Sequence, residues 1–503
     1  MTLFKNANHS LQHWLHAALE AFMGHAPNWY KFTIIGFLIA NPIILLAHGP
    51  FVLGWFLLLE FIFTLALALR CYPLIPGGLL ALEALLLGLT TPEVFYEEVV
   101  HGLPVILLVM FMVAGVYFLR DFLFILLTRV LLGIRSRVMR AFSVCASIAV
   151  LSAFLDALTV LAVLLTVALG FYEVYHRATS SETTGEGDED DVHNREELEQ
   201  FRAFLRGMMM HAAVGTAIGG VTTLVGEPEN IVIGAVANWS FMEFFWKVAP
   251  LSIPTLFVGL ATCLIVEKFR LFSFGTDLPM GARHILEEED KRMQASWQLR
   301  DKIRIIAQAV ACILLVVALA FHVAEVGLIG LGLIVVGAAI NGVTDEHRIT
   351  KCFAEGMPFV ALLAVFFAIV GVIHTQDLFA PIIGYVLQME GNVQLMMIYL
   401  TNGALSAVSD NVFVATIYID QVHQLLEAGL ISRELFDKQA AAIVMGTGIP
   451  AMATPNGQAA FLFLLTSALA YHIRLSYGRM VWMALPYVIT TSTAALLSIM
   501  FFF

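Results

Sequence analysis

From residue 31 onward, long apolar runs alternate with short polar connections. A helix crossing a bilayer needs about 20 apolar residues. Candidate runs lie at 31–48, 51–69, 74–89, 103–119, 246–266, 303–322, 325–342, 357–374 and 480–503. Four further apolar stretches are interrupted. Residues 141–172 and 393–420 carry Asp156 and Asp410 near their middles, while 203–238 and 440–472 are broken at GEPEN (226–230) and ATPNG (453–457). Ahead of the first run, Leu11, Trp14, Leu15, Ala18, Leu19 and Phe22 recur at helical spacing. That stripe predicts an amphipathic helix on the membrane surface, with neither the basic start nor the continuous apolar core of a signal peptide.

The interrupted stretches come in pairs. At an offset of 254, Gly88 falls on Gly342, Thr90 on Thr344, Gly102 on Gly356, Pro104 on Pro358, and SAFLD (152–156) on SAVSD (406–410). Further along, Pro228 matches Pro455 at an offset of 227, the difference being about the size of an acidic insert in the first half. The chain therefore reads as two copies of one unit. The predicted division is 1–48 (surface helix and first span), 49–266 (first repeat, with acidic loop 173–202), 267–302 (linker) and 303–503 (second repeat).

Charge placement predicts that the copies are inverted. Arg129, Arg135, Arg137 and Arg140 crowd one connection of the first copy, whereas its counterpart at 382–394 has no Lys or Arg. The reverse holds for 90–101, without basic residues, against 344–355, with Arg348 and Lys351. By the positive-inside rule each such loop changes side between copies. Residues 267–302, rich in Lys and Arg, and the loop of His472, Arg474 and Arg479 belong inside. The resulting expectation is an all-α polytopic membrane protein with a cytoplasmic N-terminus and a periplasmic C-terminus. It has about 11 spans, a segment at 121–134 along the inner surface, two re-entrant hairpins (141–172 and 393–420) and two broken helices. Plain spans in place of both hairpins satisfy the termini equally well.

Composition agrees. Of the 503 residues, 59% are hydrophobic and 13% charged, against about 45–50% and about 25% in soluble proteins. That excludes a soluble enzyme, a nucleic-acid binder and a disordered scaffold. The net charge of −12 comes mostly from 182–199, expected as a solvated loop. The five scattered cysteines form no CxxC pair and call for neither disulfides nor zinc.

Backbone that leaves the helix at membrane depth must be buried in protein or line a cavity. Two hairpin tips and two broken helices make a midplane transport site. Its chemistry is oxygen-rich: carboxylates at Asp156 and Asp410, amides at Asn230, Asn411 and Asn456, and hydroxyls at Ser152, Thr159, Ser406, Ser409 and Thr454. Hard cations such as sodium favour such ligands, and no Arg or Lys accompanies them. A buried carboxylate that takes either a proton or sodium is the minimum an exchanger needs. Helix capping is the alternative role for the two acids. Pro228 and Pro455, with Gly226 and Gly457, hold the helices open. Glu227 and Glu229 either tune the site's field or sit at the wet end of the break. Glu60 and Glu83, whose counterparts are Leu314 and Gly337, form a proton relay or pack against partners. His211 is a candidate pH sensor, and Met208–Met210 are packing or lipid-facing residues. No cofactor is called for.

WYKF (29–32), SAFLDALTV (152–160), GEPENIVIG (226–234), SDNVFVATIY (409–418) and ATPNGQAAFLFLLTSALA (453–470) together resemble the NhaB-type sodium/proton antiporters of bacterial inner membranes. The layout is more distantly similar to the wider ion transporter superfamily. Its sodium-coupled dicarboxylate carriers have Ser-Asn-Thr at the tips, where this chain reads Leu155-Asp156-Ala157 and Ser409-Asp410-Asn411. The resemblance implies exchange of cytoplasmic sodium, with lithium as a second cargo, for external protons. It also implies a homodimer with a scaffold and a moving transport region. The alternatives are a sodium-coupled organic-anion symporter, a passive channel, and a membrane-embedded enzyme, for which the lone Glu98-x-x-His101 in a predicted loop is poor support.

Overall fold

In the computed structural model, the described residues are 17–67, 70–155, 157–182, 188–321, 323–354, 357–408, 411–455 and 457–503, and every regular element among them is helical. Each uninterrupted run coincides with a helix: Asn28–His48, Pro50–Ala66, Leu74–Leu86, Leu103–Val116, Phe241–Phe269, Leu299–Ala320, Val326–Asn341, Met357–Thr375 and Tyr477–Phe502. Among the described residues, six segments are long and apolar enough to cross a membrane: Asn28–His48, Met110–Gly133, Val160–Arg177, Phe241–Phe269, Leu299–Leu319 and Tyr477–Phe502. The chain is thus a polytopic helical membrane protein. Half of the stripe assigned to the N-terminal surface helix (Leu11, Trp14 and Leu15) lies outside the described residues.

Three connections expected as loops are helical. Thr91 caps Pro92–His101, accepting from Val94 N at 3.3 Å, and Pro92 occupies the first turn where its missing N–H is not needed. The matching connection holds Glu346–Ala354, and the linker holds Met280–Ala295. The acidic insert is also mostly helix rather than an open loop, since Ala157–Glu182 and Asp188–Gly220 leave only 183–187 outside the description. Glu and Arg are strong helix formers.

The helices form two compact units, one of 1–102 with 358–381 and one of 103–357 with 382–503. Within the first unit, Asn41 Nδ2 donates to Glu60 Oε2 and to Glu83 Oε2, each at 2.8 Å, and all three residues are buried. The partner that the sequence left open for Glu60 and Glu83 is therefore one shared amide. Glu98 meets His374 Nδ1 at 2.5 Å, so it pairs across helices rather than with His101. Removing the shared donor exposes both acids to the cost of an unsatisfied buried acceptor, about 1–3 kcal/mol each. Asn41→Leu is expected to lower the temperature at which detergent-purified protein loses its monodisperse peak. Asn41→Gln, which keeps an amide, should lose less.

The second unit contains the run Arg137–Ser152, Ala157–Glu182, Asp188–Gly220 and Pro228–Ala237, and later the run Gly391–Val408, Asn411–Glu427, Arg433–Gly448 and Ala459–Thr466. The paired glycines Gly88 and Gly342 each follow a helix in the left-handed region, at φ +73° and +64°. An L side chain is strained there, which accounts for glycine at both points.

Candidate functional site

The first helix break runs from Val221 to Glu227 and the second from Ile449 to Gln458, the latter containing a 3-10 turn at Pro450–Ala453. Pro228 is the first residue of the helix after its break, whereas Pro455 is buried in the irregular segment itself. The second broken helix also bends again at Ser467, which caps Ala468–His472, so 440–472 holds one more interruption than expected.

Each break is closed by one amide. Asn230 Nδ2 donates to Gly220 O at 3.0 Å and Thr223 O at 2.8 Å. Gln458 Nε2 donates to Gly448 O at 3.1 Å. Both pairs sit ten residues apart, and both amides reach back to the last carbonyl of the preceding helix. Those carbonyls have lost their i+4 donors and require one. Asn230 therefore corresponds to Gln458 at an offset of 228, one residue from the register that pairing the prolines suggests.

Each break is also tied to one of the two doubled motifs. Thr223 Oγ1 donates to Ala153 O, and Thr454 Oγ1 donates to Ala407 O. Ala153 and Ala407 are the second residues of SAFLD and SAVSD, so the two ties are equivalent. Thr454 Oγ1 also accepts from Gly457 N at 3.3 Å. Ser152 Oγ donates to Thr216 O at 3.1 Å, and Ser406 Oγ to Asn402 Oδ1 at 3.3 Å.

Two glycines permit these approaches. A Cβ on Gly226 would stand 2.3 Å from Gly220 O, and one on Gly457 would stand 2.4 Å from Ser406 O. Asn411 Nδ2 donates to Glu229 Oε1 at 2.9 Å, joining Asn411–Glu427 to Pro228–Ala237. Glu229 and Glu227 are both buried, at 1% and 2% exposure.

Asp156, Ser409, Asp410 and Asn456 lie outside the described residues, as does the side chain of Thr159. Their neighbours Leu155, Asn411 and Gly457 are buried. Among the described residues, the side-chain oxygens of Asn411 and Gln458 are buried and accept no hydrogen bond. The carboxylate and carbonyl partners fix which end of each amide is NH2, so among the described residues these oxygens are open acceptors. Acceptor oxygens of this kind suit a hard cation.

Sequence reasoning missed Thr223, Gln458, Gly219 and Asn402. The signal for Gln458 was present as an amide at offset 228, hidden by the more visible prolines. Asn230 closes two carbonyls where Gln458 closes one. Asn230→Leu is accordingly expected to destabilise purified protein more than Gln458→Leu, as read from thermal unfolding in detergent.

A family model described as "Bacterial Na+/H+ antiporter B (NhaB)" matches residues 11–503. The chain belongs to the NhaB family. It is 56% identical over 488 residues to a protein of Saccharophagus degradans, covering 96% of this chain and 98% of that one. It is 55% identical over 488 residues to one of Klebsiella pneumoniae (95% and 94%). An Escherichia coli protein is 54% identical over 492 residues (97% and 96%). All three are named Na(+)/H(+) antiporter NhaB.

In this NhaB-family chain, His211 stands in a different buried cluster. Its Nε2 is 2.9 Å from Glu267 Oε1 and its Nδ1 is 2.7 Å from Tyr487 Oη. Its ring stacks on Phe274 at 4.4 Å, and Arg137 Nε lies 3.4 Å from Glu267 Oε2. Met208, Met209 and Met210 are all buried, so they pack rather than face lipid.

Proposed function

We propose that this chain is a secondary antiporter that expels sodium, and lithium, in exchange for entering protons across a bacterial inner membrane. The observation that carries this reading is family membership over residues 11–503, with relatives that are named for sodium/proton exchange. Support from the chain itself comes from two tied helix breaks with buried, uncommitted amide oxygens.

In the proposed mechanism Asp156 and Asp410 take either ion or proton. Asn411, Asn230, Asn456, Thr454 and the hairpin hydroxyls of Ser152, Thr159, Ser406 and Ser409 complete the oxygen shell. Glu229, through Asn411, sets the field of the second tip. A site occupied by one charge at a time forces exchange, because loading sodium requires that the proton leave. Alternating access moves hairpins and broken helices together against the surrounding spans, in a homodimer.

The proposed topology has about 11 spans, re-entrant hairpins at 141–172 and 393–420, an internal N-terminus and an external C-terminus. The arm Val160–Arg177 is long enough to cross by itself. Re-entrance therefore predicts that cysteines placed at the two ends of 157–182 are both labelled from the cytoplasmic side or from the interior cavity, never from opposite sides. The exchange is tested in everted vesicles holding a pH gradient. Sodium and lithium should collapse the gradient, while potassium and succinate should not. Collapse by succinate, or sodium movement without proton movement, would refute the reading.

A further inference from the structure

Within the second unit, a cavity of about 230 Å³ opens between the starts of Arg120–Gly133 and Leu299–Ala320 and the segment 341–351. It is lined by four cations, Arg120, Arg304, Arg348 and Lys351, against one carboxylate, Asp121. These cations come from segments far apart in sequence, which the fold brings to one place.

The wall is held independently of any ligand. Gln308 Oε1 accepts from Phe122 N at 2.9 Å, while Gln308 Nε2 donates to Asn341 Oδ1 at 2.6 Å. Asn341 Nδ2 donates to Phe118 O at 3.0 Å and Gly337 O at 2.8 Å. This amide chain ties three helices together, leaving the cationic groups to face whatever enters.

Those groups are weakly committed. Arg120 Nε stands 3.8 Å from Asp121 Oδ1 and Arg304 Nε 3.5 Å from Asp121 Oδ2. Arg304 also reaches Asp301 at 3.4 Å, and Arg348 reaches Asp345 at 3.4 Å. Such half-exposed pairs contribute little and yield to a bidentate phosphate. Lys351 forms no ion pair among the described residues. Tyr117 lies under the Arg120 guanidinium, 4.3 Å from its ring centroid, and holds it toward the cavity.

An apolar track leads away from the cavity. Starting beside Arg304, Ile303, Ile306, Val310 and Ile313 are all more than half exposed or at 50%, on one face of the same helix. A headgroup-sized cationic cavity at the end of a lipid-facing stripe matches a phospholipid in two parts. The volume is below the roughly 300–1,000 Å³ of a site for a whole drug-sized ligand. It can hold a headgroup while the acyl chains stay on the helix face.

We infer that this cavity binds the phosphate headgroup of an anionic glycerophospholipid, with its acyl chains against Leu299–Ala320. Basic pockets between membrane helices recognise such headgroups. The same cations could also hold free phosphate, and the experiment separates the two.

Full-length protein in neutral detergent is titrated with fluorescent phosphatidylglycerol and, in parallel, with phosphatidylcholine of the same chains. The expected result is at least tenfold tighter binding of phosphatidylglycerol. The double variant Arg348→Gln/Lys351→Gln should lose about fivefold in affinity for each cation removed. Arg348→Lys should stay within about twofold of the parent, and inorganic phosphate at matched concentration should not displace the lipid. Equal affinity for the two lipids, or an unchanged double variant of native monodispersity, would overturn the inference. Displacement by phosphate would overturn it too, in favour of a free-anion site. The readout is binding, so it stands apart from whether the chain exchanges sodium for protons.

Discussion

Asp156→Asn and Asp410→Asn are each expected to abolish sodium-driven proton movement in everted vesicles while leaving protein level and helix content unchanged. Asparagine keeps the size and one oxygen of aspartate but can neither bind a proton at neutral pH nor neutralise a bound cation. Losing a partner one shell away from a metal ion typically lowers affinity about 10–100-fold, so removing the charge itself should lower exchange by about 100-fold or more. The described residues nearest the two acids have different partners. Three residues before Asp156, Ala153 O accepts from Thr223 Oγ1. Beside Asp410, Asn411 is held by Glu229 at 2.9 Å. Glu229→Gln should therefore weaken exchange less than either Asp variant, since a glutamine oxygen still accepts from Asn411. If both Asp variants collapsed the pH gradient at the parental rate, the ion site would lie elsewhere.

Gly219→Ala should be the most damaging single methyl in the second unit. Gly215 and Gly219 form a GxxxG pair on Asp188–Gly220, facing the helix Arg137–Ser152. A Cβ at Gly215 would stand 2.7 Å from Cys145 O. One at Gly219 would stand 2.1 Å from Ala149 O and 2.5 Å from Ala149 Cα. Backbone cannot step aside as a rotamer can, so the neighbouring helix has to move away. That movement also pulls Ala153 from Thr223 and Ser152 from Thr216. Overpacking typically costs about 1–3 kcal/mol, and a clash onto backbone belongs at or above the upper end. Gly207→Ala on the same helix is the control. Its nearest neighbours would be Phe274 at 3.8 Å and Glu267 at 4.0 Å, so the added methyl fits, and helix propensity favours it. Heating detergent-purified variants should show Gly219→Ala unfolding well below the parent and Gly207→Ala at or above it. The reverse order would mean that the two helices do not cross at Gly219.

Sequence alone determined the helices and the places where they stop. Lipid offers no hydrogen bonds, so every spanning segment must be an apolar helix, and each uninterrupted run from 31–48 to 480–503 is one. The doubled SAFLD and SAVSD motifs and the paired left-handed glycines Gly88 and Gly342 were readable for the same reason, because a departure from helix needs special residues. The connections were misread because a polar amphipathic helix such as Pro92–His101 or Glu346–Ala354 has the composition of a loop.

Only the tertiary structure decided how the breaks are closed. Gln458 bonds a carbonyl ten residues back, and Thr223 a carbonyl 70 residues away. Such partners are chosen by where helices cross, and no local period records that choice. Asn41 likewise meets Glu60 and Glu83 across 19 and 42 residues. Hydrophobic pattern determines which segments enter the membrane. Close helix crossings then determine which buried polar groups satisfy one another.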